Sequence, residues 1–104
     1  MTTYFVSRHP GAIEWVAQQG LHIDAFVEHI DTTQVQPGDT VIGSLPVNLA
    51  ALVCERGGKY WHLSLVRPAE LRGCELSATE MQRLGAHLQA YIVESATVSE
   101  HIQS

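Results

Sequence analysis

The sequence predicts an α/β protein built on a small open sheet of about four mostly parallel strands with flanking helices. Three observations carry that expectation. The apolar run Tyr4-Phe5-Val6 stops at Ser7-Arg8-His9 and Pro10-Gly11, and a helical pattern begins at Ala12. A second apolar run, Thr40-Val41-Ile42-Gly43, passes through Ser44-Leu45-Pro46 into another helical pattern. Between and after these units lie two further strand patterns, so the elements read β-α-β-β-α-β-α. Right-handed crossovers then give a strand order of 2-1-3-4, with the first and third strands side by side.

Each element follows from local patterning. The first helix carries Ile13, Val16 and Ala17 on one face, with Trp15 beside them, and stops at Gly20. His22 to Ile30 reads as the second strand, because Ile23, Ala25 and Val27 alternate with Asp24 and Glu28. Pro37-Gly38 marks a turn in the connection that follows. That connection has barely the dozen residues a parallel crossover needs, so the pairing direction of the second and third strands stays open. Pro46 suits the first position of the second helix. Its buried face is Leu45, Leu49, Leu52 and Val53, and Gly57-Gly58 stops it. Lys59 to Leu65 forms the fourth strand. After a loop from Val66 to Leu76, Ser77 and Glu80 form a capping box, with Leu76 and Met81 placed to staple it. Met81, Leu84, Leu88, Tyr91 and Ile92 continue at helical spacing past Gly85. Residues 1–94 therefore read as one domain, and 95–104 as a polar tail.

Composition narrows the function. The chain has 104 residues, 45% of them hydrophobic, enough for one core. Six Lys and Arg against 11 Asp and Glu leave a net charge of −5. Binding to long nucleic acid needs many cations to neutralise phosphates, so that class is excluded, whereas a small anion held by one or two arginines is not. No apolar run is long enough for a membrane span and no signal pattern opens the chain, so a cytoplasmic location is expected. Cys54 and Cys74 are expected as free thiols, with Cys54 a small core residue. The spacing of His, Cys and carboxylates matches no metal motif, and the Walker and Rossmann phosphate loops are absent, so no metal or cofactor is expected.

In open α/β sheets ligands bind beyond the carboxyl ends of the strands, at the switch point, where helix N-termini attract anions. The switch point here falls between Ser7-Arg8-His9 and Gly43-Ser44-Leu45-Pro46. Arg8 offers a charge-assisted fork for phosphate, His9 a titratable imidazole, and Ser7 a hydroxyl. Asn48, in the first turn of the second helix, can reach a ligand above the sheet. His62 and Ser64 share one face of the fourth strand, whose carboxyl end also meets the crevice; a histidine there serves equally well as a wall residue. His22, His29, His87 and His101 read as surface residues. The chemistry these groups fit is metal-free work on a phosphate, with arginine stabilising charge and histidine moving protons.

Two resemblances follow from these residues. Val6-Ser7-Arg8-His9-Pro10-Gly11 is similar to the Arg-His-Gly motif of histidine phosphatases, in which the histidine is phosphorylated, although here Pro10 separates His9 from Gly11. More specifically, three blocks resemble a family of small type III CRISPR-associated accessory proteins, the sixteenth of the Csx series. The blocks are Tyr4 to Ala12, Gly38 to Ala50, and His62-Leu63-Ser64, within a resemblance running from about Thr3 to Tyr91. That resemblance implies a CARF-like, Rossmann-type homodimer acting as a ring nuclease on cyclic tetra-adenylate. It also implies catalytic residues at Ser7, Arg8 and His9, and substrate contacts at Ser44, Leu45, Pro46, Asn48, His62 and Ser64. A module that binds the cyclic oligoadenylate without cleaving it would need the same contacts.

Overall fold

The computed structural model describes residues 1–71 and 73–96. A five-stranded open sheet runs in the order β2-β1-β3-β4-β5. Its strands are β1 (Thr3–Val6), β2 (Ala25–Val27), β3 (Thr40–Gly43), β4 (Lys59–Ser64) and β5 (His87–Tyr91). The helices are α1 (Pro10–Gln18), α2 (Val47–Glu55) and α3 (Ala78–Arg83), with 3-10 turns at Thr32–Gln34 and Ala69–Leu71. The first four strands are mutually parallel and take the expected order. The chain between β2 and β3 crosses β1 through the 3-10 turn, which settles the direction left open by its shortness.

Alternation along the strands divides the core between the two faces. Phe5 and Ile42 meet Trp15 and Val16 of α1 and Ala78 and Met81 of α3 on one side. Val41 and Tyr60 meet Ala50 and Val53 of α2, with Val35 from the crossover, on the other. Trp15 Nε1 donates to Gln82 Oε1 at 3.0 Å, joining α1 to α3. Gly11 is needed where α1 passes the segment before α3, since a Cβ there would lie 1.8 Å from the Leu76 carbonyl oxygen.

The structure departs from the sequence reading at several points. The last helix ends at Arg83, and His87–Tyr91 is a fifth strand antiparallel to β4. Gly85, at φ +79°, ends it in a Schellman arrangement. Its N–H bonds to the Gln82 carbonyl and the Ala86 N–H to the Met81 carbonyl at 3.0 Å, with Ala86 and Met81 both in the core. Leu84, Leu88, Tyr91 and Ile92 match helical spacing, but Leu88 also alternates with His87 and Gln89, and the glycine stop decides between the two periods. The capping box is present as expected. The second strand is shorter than His22 to Ile30. Pro46 is the N-cap of α2 with extended backbone, rather than its first helical residue. Leu52 is exposed and is not a core residue, whereas Cys54 is half-buried and packs against the α2-side core; both cysteines are free thiols. Residues 97–104, most of the expected polar tail, lie outside the described residues. Among those described, no helix is long and apolar enough to cross a membrane.

At the amino ends of the strands, the buried Asp39 carboxylate gathers three segments. It accepts from Thr2 N–H and Gln36 N–H, each at 2.9 Å, and the Asp39 carbonyl accepts from Lys59 N–H at 2.8 Å. The Gln36 and Thr2 N–H groups hold its pKa below the ordinary 3.8. A carboxyl depressed on folding stabilises the native state above its unfolded pKa, and that stability is lost as pH falls through the folded value. Asp39→Asn should therefore lower stability at pH 7, because its amide turns one N–H donor toward another. Urea unfolding should show the wild-type advantage shrinking as pH falls below about 4, the unfolded carboxyl's range, and on through the lower folded value; an advantage independent of pH would contradict the assignment.

Candidate functional site

Because β1, β3 and β4 are parallel, the chain leaves all three at one edge of the sheet. An open cleft of about 740 Å³ lies there. Ser7, Arg8 and His9 come from the end of β1, Ser44, Leu45 and Pro46 from the end of β3, and His62 and Ser64 from β4. Eight of the nine residues expected from sequence thus line one cleft. The ninth, Asn48, is exposed in the first turn of α2 and is not part of the lining.

Hydrogen bonds build the two turns that form the cleft walls. Ser7 Oγ accepts from His9 N–H at 3.1 Å, so it shapes the β1–α1 turn and keeps its own proton to donate. Ser44 Oγ donates to the Leu63 carbonyl at 2.7 Å, pinning the β3–α2 turn onto β4. The hydroxyl of Tyr60 does more. It receives the Leu45 N–H at 2.9 Å, lies 3.1 Å from the Gly43 carbonyl, and contacts His62 Nδ1 at 2.5 Å. Burial pushes the phenol pKa above 10.0, so the group stays protonated.

Tautomers follow from these contacts. A carbonyl only accepts, so the phenol proton goes to Gly43. The phenol oxygen then receives the Leu45 N–H and a proton on His62 Nδ1, and this assignment satisfies all three contacts. His62 Nε2 is left for a ligand. His62 is half-buried, with the rings of Tyr60 and Tyr91 edge-on at centroid distances of 5.7 and 6.1 Å. Across the cleft lining, His9 Nδ1 donates to Glu75 Oε1 at 3.0 Å, which likewise leaves Nε2 available. The His9 side chain is 55% exposed and that of Glu75 67%, so the pair serves geometry more than stability.

The electrostatics of the cleft oppose those of the whole chain. Arg8 and Arg67 both line it, with His9, His29 and His62, and Glu28 is the carboxylate among the lining residues. Helices α1 and α2 begin here, and neither has a side-chain cap nor an acidic residue in its first turn. Their N-terminal dipole ends favour an anion. Helix α3, by contrast, carries its own capping box. Leu45, Leu49 and Leu63 supply apolar wall beside the cations. Among the described residues, no group of three or more His, Cys, Asp or Glu side chains could hold a metal ion.

Sequence reasoning missed Tyr60, Arg67, Glu75 and the cleft position of His29. Arg67 follows β4 closely enough for its strand end to have flagged it. Glu75 has no local signal, since it meets His9 only through packing of the α3 entry on α1. Tyr60 sits inside an apolar strand pattern and reads there as core.

The family described as "Putative CRISPR-associated protein (Cas_VVA1548)" matches residues 4–94, and the chain belongs to it. No curated protein and no solved structure matches the chain.

Tyr60→Phe should preserve the ring and delete the hydroxyl, leaving the Leu45 N–H and Gly43 carbonyl without that partner. We expect a stability loss of about 1–3 kcal/mol in urea unfolding. Amide exchange at Leu45 should accelerate more than at Phe5. An unchanged Leu45 exchange rate would mean that the hydroxyl does not hold this turn.

Proposed function

We propose that this CRISPR-associated protein is a ring nuclease that opens cyclic tetra-adenylate without a metal, giving linear products and ending the type III antiviral signal. The observation that carries this reading is the meeting of Ser7-Arg8-His9, Ser44-Leu45-Pro46 and His62 with Ser64 around a single cleft. Membership of a CRISPR-associated family supports the signalling context.

The chemistry suits the groups present. Each phosphodiester of a cyclic oligoadenylate has a 2′-hydroxyl beside it, so the nucleophile comes with the substrate. Attack on the adjacent phosphorus expels the 5′-oxygen and leaves a 2′,3′-cyclic phosphate. The protein has to align the 2′-oxygen with the leaving group, stabilise the added negative charge and move protons. Alignment alone is worth up to about 7–11 kcal/mol in well-oriented intramolecular reactions. Arg8 and Arg67, with the N-termini of α1 and α2, supply positive potential where phosphorane charge develops. The apolar walls at Leu45, Leu49 and Leu63 fit adenine faces. No activated serine is required, in keeping with Ser7, whose oxygen is engaged in a turn.

A homodimer belongs to the same proposal. One cleft is small beside a four-nucleotide ring, and a two-fold pair of clefts matches a ring of near two-fold symmetry. Val47 and Leu52 of α2, with Tyr91 and Ile92 at the end of β5, expose apolar surface that a second copy would cover.

Incubation with cyclic tetra-adenylate in EDTA, followed by mass analysis, should yield linear products ending in 2′,3′-cyclic phosphate. Intact ring that is nonetheless bound would replace the nuclease with a binding module. Acid-labile phosphohistidine lost in His9→Ala would favour the phosphatase chemistry instead. Arg8→Ala should slow cleavage by roughly thirtyfold, about 2 kcal/mol of transition-state stabilisation. Arg83→Ala, at the exposed end of α3, should be near neutral, and equal effects at both positions would remove the β1 edge from the site.

Light scattering should give twice the 11.4 kDa chain mass. A concentration-independent monomer, with and without ring, would sink the two-fold arrangement.

A further inference from the structure

Three imidazoles line the cleft, and two of them, His9 and His62, are held by side-chain partners of different kinds. His9 Nδ1 is bound to a carboxylate, Glu75 Oε1, at 3.0 Å. His62 Nδ1 is bound to a phenol oxygen, that of Tyr60, at 2.5 Å. In both rings the hydrogen bond at Nδ1 fixes the tautomer and the orientation, so Nε2 is the nitrogen left to exchange a proton with a ligand. The partners differ in charge. Glu75 provides a countercharge for a doubly protonated His9 ring, whereas the Tyr60 phenol provides none for His62. The other charged or titratable groups of the cleft lining are Arg8, Glu28, His29, Arg67 and Cys74, and Tyr91 stands edge-on to His62.

Resting on the ring-nuclease reading, we infer that His62 and His9 are a general base and general acid working as a pair, with Tyr60 and Glu75 as the residues that position them. His62 Nε2 takes the proton of the 2′-hydroxyl as that oxygen bonds to phosphorus. The bond from phosphorus to the 5′-oxygen breaks, and His9 Nε2 gives its proton to the departing 5′-oxygen. One proton is taken up and one released, so the products are a 2′,3′-cyclic phosphate and a free 5′-hydroxyl. The rings finish in exchanged protonation states and reset through solvent, which reaches the exposed His9 directly.

The pairing is tested by single-turnover cleavage of cyclic tetra-adenylate across pH, and by a ring carrying sulfur in place of one bridging 5′-oxygen. A thiolate leaves without a proton, so this substrate needs no general acid. Wild-type protein should show a bell-shaped profile on the oxygen ring. His9→Ala should slow the oxygen ring at least about a hundredfold, yet cleave the sulfur linkage within about tenfold of wild type. His62→Ala, and His62→Gln, which retains a hydrogen-bonding partner for Tyr60, should be slow on both substrates while binding the ring. Glu75→Gln should move one limb of the pH profile and leave the other, whereas a structural role would lower the plateau alone. Sulfur rescue of His62→Gln in place of His9→Ala would overturn the assignment, and so would rescue of both or neither. If wild-type protein leaves both rings intact, the nuclease reading itself fails; if it cleaves them with no selective rescue, only the pairing fails.

Discussion

Parallel pairing of β1 with β3 and of β3 with β4 is the constraint on which the rest of the structure depends. It sends three separate segments of chain out at the same edge, so polar residues following apolar strands converge without any local signal between them. The strands approach closely at that edge. A Cβ at Gly43 would lie 2.9 Å from the Val6 carbonyl oxygen and 3.2 Å from its Cβ, so the end of β3 fits beside β1 only as glycine. The Tyr60 hydroxyl then fixes how the chain turns away, by engaging the carbonyl of Gly43 and the N–H of Leu45. A residue of β4 thereby shapes the loop after β3 and sets the tautomer of the histidine two positions along its own strand.

The two ends of the sheet are built for different tasks. At the amino ends, the polar groups of Asp39 are satisfied by backbone partners from the residue before β1, the crossover and β4, and its side chain is buried. At the carboxyl ends, two helices begin without side-chain caps, and two arginines face open space. Leaving N–H groups uncapped gives up stability of about 0.5–2 kcal/mol per helix that a serine or aspartate cap would supply. The uncapped helix starts and the two arginines make this edge the electropositive end of the sheet.

Charge follows the same division. A chain of net charge −5 repels long polyanions at a distance, while its cleft brings Arg8 and Arg67 into one lining. A compact ligand with few phosphates feels the local field more than the net charge. An acidic exterior and a cationic cleft therefore coexist in one molecule, the first set by total composition and the second by local placement.

The sequence alone determined the α/β class, the order of the first four strands and the α3 capping box, and eight of the nine residues it singled out line one cleft. These are local matters: apolar runs ending in polar turns, glycine stops and a capping box act within a few residues of themselves. The last segment was ambiguous because Leu84, Leu88 and Tyr91 fit helical spacing while Leu88 also alternates with His87 and Gln89 as a strand would. Gly85 carried the deciding stop, and the exposed edge of β4 offered the partner that made the strand. The pairing of His9 with Glu75 and of His62 with Tyr60 was decided by tertiary structure alone. Glu75 reaches His9 because α3 packs on α1, and the Tyr60 hydroxyl becomes a hub because β3 turns beside it. A linear pattern records which face a side chain takes, but hydrogen-bond partners depend on which distant segment the folded chain brings to that face.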